Sequence, residues 1–304
     1  MTVLEAIQKS ADFLGKKNVG SPRLQVELLL AHLLKMPRMK LYLNFERALA
    51  PGETDALREF IKRRAAHEPL QHIVGSTSFC GFEIAVNKHV LVPRPETELL
   101  AELGWQFLST LNSQLSTALD FCTGSGCIAI AIAAKCPNAK IVAADISEDA
   151  LALAKENAAK NNVAERIEFL QGDGFAVLSS VGQASRLSPP EKKNSETGAT
   201  PVLRFDLLIS NPPYIPSAEI ATLQPEVRDF DPHLALDGGA DGLEFYRLIA
   251  SQAKTFLKPA GKIMVEFGDG QAEAIRNIFE TEKWIVEAVK EDYSQRARIL
   301  IAKI

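Results

Sequence analysis

Thr117-Ala-Leu-Asp-Phe-Cys-Thr-Gly-Ser-Gly-Cys-Ile-Ala-Ile-Ala-Ile-Ala-Ala-Lys135 decides how the rest of the chain is read. Residues 117–121 have the make-up of a strand, and 126–135 is a run of small and aliphatic residues that predicts a buried helix. Between them, Asp120-Phe-Cys-Thr-Gly-Ser-Gly126 brings glycines to a strand-to-helix turn. There the backbone can approach a ligand at a helix N-terminus. A dinucleotide fingerprint, G-x-G-x-x-G, would need a third glycine after Gly124 and Gly126, and none follows. On its own the stretch is also readable as a plain tight turn. Outward from it the same rhythm repeats. Strands are expected at 140–144, 167–171, 205–210 and 262–267, and helices at 148–161 and 242–256. Strands alternating with helices imply an α/β fold, a mostly parallel sheet covered on both faces. The final pair, 284–291 and 297–304, turns around 292–295 and predicts one antiparallel edge.

Upstream the texture differs. Leu24 to Leu34 carries a helical apolar stripe, opened by Ser21-Pro22 with proline at the first helical position. Residues 51–54, Pro-Gly-Glu-Thr, break the pattern, and 55–66 resumes it. Residues 79–86 and 89–92, separated by Asn87-Lys88, read as a hairpin of two short strands. The chain thus divides into a helical domain (1–72), a β-hairpin linker (73–92) and an α/β domain (93–304). Residues 1–72 hold 12 basic and 8 acidic side chains, net +4, and the remainder carries −8. The positive piece suits an acidic partner or RNA, or is simply a set of solvated helix faces. Between Val181 and Pro201 a polar stretch with two prolines has nothing to bury and is expected to be a disordered surface insertion.

With 46% hydrophobic and 24% charged residues, disorder and a coiled-coil rod are excluded. The longest apolar run, 127–134, is far short of the roughly 20 residues of a membrane-spanning helix. No basic region followed by an apolar stretch opens the chain, so no signal peptide is expected. Cys80, Cys122, Cys127 and Cys136 form no C-x-x-C pair, and the five histidines show no ligand spacing. Reduced thiols, no metal and a cytoplasmic location are the expectation.

Asp145 ends the strand after the glycine turn. A carboxylate there can accept both hydroxyls of a ribose; a helix N-cap is the other use, although Ser147 is better placed for that. Asp173 and Gly174, after the third strand, would reach an adenine edge. The three strand ends together argue for a nucleoside-bearing cofactor. Asn211-Pro-Pro-Tyr214 follows the fourth strand. Two prolines merely stop a strand, but at the crevice end of the sheet the tetrapeptide has a chemical use. The Asn211 side-chain carbonyl and the Pro212 backbone carbonyl are two acceptors for the hydrogens of a planar NH₂ group. Tyr214 offers a flat face on which an amide or base can stack.

Here the chain resembles the S-adenosylmethionine-dependent methyltransferases whose Asn-Pro-Pro-Tyr accepts a planar nitrogen. More narrowly, it resembles the release factor glutamine methyltransferases of the PrmC/HemK family. The likeness runs through Pro69-Leu-Gln-His-Ile-Val-Gly75, Val92-Pro-Arg-Pro-Glu-Thr-Glu98, Asn211 to Ile215, and Asp231 to Arg247. It implies a Rossmann-like seven-stranded methyltransferase sheet, an N-terminal helical bundle that holds a peptide chain release factor, and a connecting β-hairpin. The activity implied is methyl transfer from S-adenosyl-L-methionine to the side-chain amide of the glutamine in the Gly-Gly-Gln motif. Carried over by position, Cys122, Thr123, Gly124, Ser125, Gly126, Asp145, Asp173, Gly174 and Asn211 would bind the cofactor. Asn211, Pro212, Pro213 and Tyr214 would bind the glutamine, with Asn211, Pro212 and Tyr214 catalytic. Residues 92–98 would line the pocket between, where Arg94 is either a substrate contact or a structural ion-pair former. Cys122 stands where the family often has glycine. Gly174 stands where many relatives carry an aromatic, so Phe175 is expected to cover the adenine instead. The insertion after Val181 is longer than the family usually allows. The alternatives are a glutamine methyltransferase of a large-subunit ribosomal protein, a DNA adenine methyltransferase and a non-enzymatic, cofactor-binding translation adaptor. The second needs a basic base-flipping domain, and −8 over residues 73–304 makes a poor DNA clamp.

Overall fold

Five helices come first in the computed structural model, which describes residues 1–111, 115–181 and 203–304. They are α1 (Val3–Gly15), α2 (Pro22–Leu33), α3 (Arg38–Leu41), α4 (Pro51–Ala65) and α5 (Leu70–Val74). Leu14, Leu29, Leu30 and Leu41 are wholly buried at their centre, each contributing about 1.5–3 kcal/mol relative to an exposed side chain. α1 starts in a capping box: Thr2 Oγ1 accepts from the Glu5 N–H, and the Glu5 carboxylate accepts from the Thr2 N–H. The stretch 51–54 is not a break. Pro51 opens α4, since proline at the first helical position forfeits no hydrogen bond. The Glu53 carboxylate then accepts the Ala50 N–H at 2.9 Å.

The hairpin is β1 (Ser76–Phe79) against β2 (Phe82–Ala85). Its turn is Cys80-Gly81, with φ of +50° and +83°, the two positive values a tight two-residue turn needs to match the strand twist. The hairpin therefore closes earlier than expected, and 89–92 is no strand.

The rest alternates: α6 (Pro95–Thr110), β3 (Ser116–Phe121), α7 (Cys127–Lys135), β4 (Ala139–Asp145), α8 (Glu148–Lys160), β5 (Ile167–Gln171), α9 (Ala176–Val181), β6 (Phe205–Ser210), α10 (Pro225–Arg228), α11 (Glu244–Gln252), β7 (Leu257–Glu266), α12 (Ala272–Thr281), β8 (Ile285–Glu291) and β9 (Ala297–Lys303). The seven-stranded sheet has the order β5-β4-β3-β6-β7-β9-β8. The expected Rossmann-like α/β sheet is present, and the strands from 116 to 210 lie within two residues of their expected bounds. Two details differ. Helix α6 was not anticipated. The helix expected over 242–256 ends at Gln252 in a 3-10 turn, so β7 starts five residues early. The final pair makes the expected antiparallel edge, with β9 between β7 and β8 and antiparallel to both. The stretch read as a disordered insertion, 182–200, lies outside the described residues.

Every residue of β3 is buried, as a strand covered on both faces must be. Ala118, Leu207 and Ile209 face one core with α7 and α8, and Leu119, Phe121 and Leu208 face the other with α11 and α12. The helical bundle meets this body through Arg64 of α4, which is 4% exposed. Its guanidinium donates to Glu226 on α10 at 2.9 Å, to the Gln25 side chain at 2.9 Å and to the Glu68 carbonyl at 3.2 Å.

Candidate active site

Chain direction across the sheet reverses beside β3. From it the chain steps out to β4 and β5 on one side, and β6 and β7 lie on the other. Loops leaving the carboxyl ends of β3 and β6 must part there, and the crevice they leave is the place such sheets bind ligands. Phe121 and Ser210 are in register, and the Ser210 hydroxyl donates to the Phe121 carbonyl at 2.5 Å. The glycine turn and the Asn211 loop therefore start from one fixed point. A cavity of about 290 Å³ opens between them.

On the β3 side the support is local. Asp120 is fully buried, and one carboxylate oxygen accepts from Thr123 Oγ1 at 2.6 Å and from the Ala129 N–H at 3.1 Å, which ties the turn to the first turn of α7. Burial pushes this carboxyl up to about 7. Gly126 takes φ +79°, and a Cβ there would stand 3.0 Å from the Ala154 Cβ, so glycine lets α7 lie against α8. Cys122 holds φ +62°, in the left-handed region where glycine is at ease. Asp145 receives the Gly124 N–H at 2.8 Å and the Ser147 N–H at 3.0 Å; burial raises its pKa. The capping role falls to Ser147, whose Oγ accepts the Ala150 N–H, which leaves Asp145 on the cavity wall. Asn157 of α8, fully buried, joins the parts: its side chain pairs with both backbone groups of Ala85 and donates to the Ser125 carbonyl.

On the β6 side the support comes from far along the chain. Ile215 bridges to Asp237, with the Ile215 N–H on the Leu236 carbonyl and the Gly238 N–H on the Ile215 carbonyl. Gln271 Nε2 donates to the Tyr214 carbonyl at 2.9 Å. Gly242, at φ +73°, has no room for a side chain, since a Cβ would stand 2.3 Å from that same carbonyl. Asn211 Nδ2 donates to Thr97 Oγ1 of α6 at 3.1 Å, so its Oδ1 is the end left free of protein partners among the described residues.

Of the residues expected in the site, Arg94, Cys122, Thr123, Gly124, Ser125, Asp145, Asp173, Gly174, Asn211 and Pro213 line the one cavity. Gly126, Pro212 and Tyr214 do not. Gly126 is the N-cap of α7, Pro212 is buried, and Tyr214 packs on the core beneath the sheet's β6–β7 end. Phe175 covers no ligand: it is 2% exposed and stacked between Phe121 at 4.6 Å and Phe256 at 5.4 Å. Arg94 forms the ion pair of one of its readings, donating to the nearly buried Asp231 at 2.7 Å, and also reaches the cavity wall. Asp231 is pushed up to about 6 by burial, against that attraction. Thr97, within the stretch 92–98 expected to line the pocket, is on the wall; residues the sequence reading passed over are His89, Leu234 and Phe245 on the wall, and Asn157, Gly242, Glu266 and Gln271 behind it. Proline after Arg94 and two acids in the next four residues, a helix-opening pattern, could have signalled α6 and with it Thr97.

Residues 5–75 match the model of the PrmC N-terminal domain, and 112–300 match that of a methyltransferase domain. A release factor glutamine methyltransferase of Geobacter sulfurreducens is 39% identical over 91% of this chain and 88% of its own length. One of Chlorobaculum tepidum is 40% identical over 98% of this chain and 95% of its own. Among solved structures, the hMettl16 catalytic domain in complex with MAT2A 3'UTR hairpin 1 shares the fold, with a TM-score of 0.52 at 16% identity, covering 90% of this chain and 91% of that one.

Proposed function

The chain belongs to the release factor glutamine methyltransferase family, and from that premise we propose that it methylates the side-chain amide nitrogen of a release factor's Gly-Gly-Gln glutamine. The observation that carries this reading is the free Oδ1 of Asn211 on the wall of a cavity whose far side holds Asp145. The residues fit S-adenosyl-L-methionine: Asp145 for the ribose hydroxyls, Asp173 and Gly174 at the adenine, and Cys122, Thr123, Gly124 and Ser125 along the backbone approach. When bound, this cofactor supplies an electrophilic methyl group on a sulfonium.

An amide nitrogen is a poor nucleophile because its lone pair is delocalised; among the described residues no lysine lines the cavity, and the histidine that does, His89, faces Asp149 at 3.2 Å. The protein's share of the work is therefore positioning. Asn211 Oδ1 and, in this reading, the Pro212 backbone carbonyl accept the two hydrogens of the glutamine NH₂ and fix its plane. Well-oriented reactants recover roughly 7–11 kcal/mol of a barrier. The same two oxygens stabilise positive charge as it develops on nitrogen. Tyr214 supports the loop from the core side. Helices α1–α5, which end at Val74, hold the body of the release factor, and the hairpin joins them to the catalytic domain.

The test offers radiolabelled methyl donor to purified release factor, large-subunit ribosomal protein and DNA in parallel. Label on the release factor glutamine is expected. Label on DNA alone overturns the assignment.

A further inference from the structure

Behind Asn211 lies a carboxylate that touches no ligand. Glu266 ends β7, and the register Ser210 to Val265 sets it beside Asn211 at the carboxyl edge of the sheet. It is 3% exposed, and its Oε2 is buried without a hydrogen-bond partner. Thr97 and Asn211 line the cavity; Glu266 does not. We infer that Glu266 is a positioning residue: as an acceptor-only group behind Thr97 and Asn211, it sets which end of the Asn211 carboxamide faces the substrate. The inference rests on the glutamine-binding role proposed for Asn211.

The argument is one of donors and acceptors. An ionised carboxylate can only accept, so groups turned toward it must present hydrogens. A Thr97 hydroxyl whose hydrogen is turned inward leaves Thr97 Oγ1 to accept from Asn211 Nδ2, the contact seen at 3.1 Å. Oδ1 is left pointing at the cavity, where an acceptor is needed for a substrate NH₂. A protonated Glu266, or a glutamine, brings hydrogens of its own. The carboxamide can then turn over and present hydrogens to hydrogens. An acidic group is maintained here at a cost, since an unpaired buried charge is unfavourable. Burial raises Glu266 to about 7, the polar side chains of Thr97 and Asn211 working against the rise. The other groups that bear on it are Glu96 of α6, which raises it, and Arg298 of β9, which lowers it. Arg298 is itself spent on Asp292 at 3.1 Å. Tyr214 and Tyr246 also face it, and the Tyr246 hydroxyl donates to the Glu266 backbone carbonyl at 2.8 Å, fixing the strand end.

The experiment uses the full chain with release factor and methyl donor. Glu266→Gln is expected to lower kcat by about tenfold or more, leave cofactor Kd within about twofold, and abolish a rise in kcat with pH centred near 7. Thr97→Val should lose turnover similarly, and Thr97→Ser, which keeps the hydroxyl, should recover most of it. In parallel, the side-chain amide of Asn211, labelled with ¹⁵N, should shift with pH around 7 in the native chain and not in Glu266→Gln. That titration is read without a methyl acceptor, so it decides the orientation even where the substrate assignment fails. A Glu266→Gln protein with native kcat and an unchanged pH profile, or an Asn211 amide that does not titrate, overturns the inference. A loss of kcat with a flat amide titration would mark Glu266 as structural only, and overturns it equally.

Discussion

The two walls of the cavity are built on different plans. On the β3 side, Asp120, Thr123, Gly126 and Ala129 hold one another within ten consecutive residues. On the β6 side, Asn211 and Tyr214 depend on Thr97, Gly242 and Gln271, which arrive from three separate stretches of chain. A nucleoside can be met by a stiff local turn that many chains share. An NH₂ group that must be aimed needs support from several directions, and only the assembled sheet supplies it.

Substitutions on the two sides should therefore fail in different ways. The largest effect is expected from Asn211→Ala, with kcat lowered about 10²–10³-fold, the range seen when one preorganised polar group is removed from a reacting centre, and cofactor Kd within about twofold. Single-turnover methylation with a parallel binding titration checks it, and unchanged turnover would sink the role given to Asn211. Gly242→Ala comes next. A side chain 2.3 Å from the Tyr214 carbonyl at φ +73° should cost about 2–4 kcal/mol by strain and displaced packing, read as a shift in the urea midpoint. Asp145→Asn belongs to the other wall: cofactor affinity should fall by about 1.5–3 kcal/mol, as for hydrogen bonds to a charged group, measured by calorimetry, with little change in kcat at saturation.

The local wall also has a signature in pH. Folded Asp120 keeps its proton to about pH 7, whereas an unfolded chain releases it near pH 4. The folded state binds the extra proton between those values, so stability should fall as pH rises from about 4 to about 7. Asp120→Asn should flatten that part of a stability-against-pH curve, and a slope identical to the native chain's would contradict the burial argument. Least of all is expected from Cys122→Gly. Relief at φ +62° and lost packing oppose each other, leaving a net change under about 1 kcal/mol by thermal unfolding.

The same contrast explains what could be read before folding. The strand ends and the turn around Gly124 are written in neighbouring residues, so periodicity and glycine spacing reveal them. Asn211-Pro-Pro-Tyr214 is visible too, since its oddity is local. What holds it is not. Thr97 sits in a helix that the alternating pattern after Pro93 did not single out, and Glu266 reads as an ordinary charge at the end of a strand. Phe175 misled because its sequence position lies beside the crevice while its side chain turns into the core between Phe121 and Phe256. Sequence order gives neighbours along the chain, and the direction of a side chain across a sheet is settled by the packing of both faces. The hairpin slipped upstream for a local reason of its own, the positive φ available at Cys80-Gly81.

The buried guanidinium of Arg64 clamps the helical bundle to α10, just before the segment from Asp231 to Gly242 that braces the Asn211 loop. A ligand grasped by the first part of the molecule is thereby measured against the same ruler as the cavity. Breaking that clamp would leave each part intact and spoil their shared alignment, so reach rather than chemistry would become the slow step for a large substrate, while a free glutamine peptide would notice little.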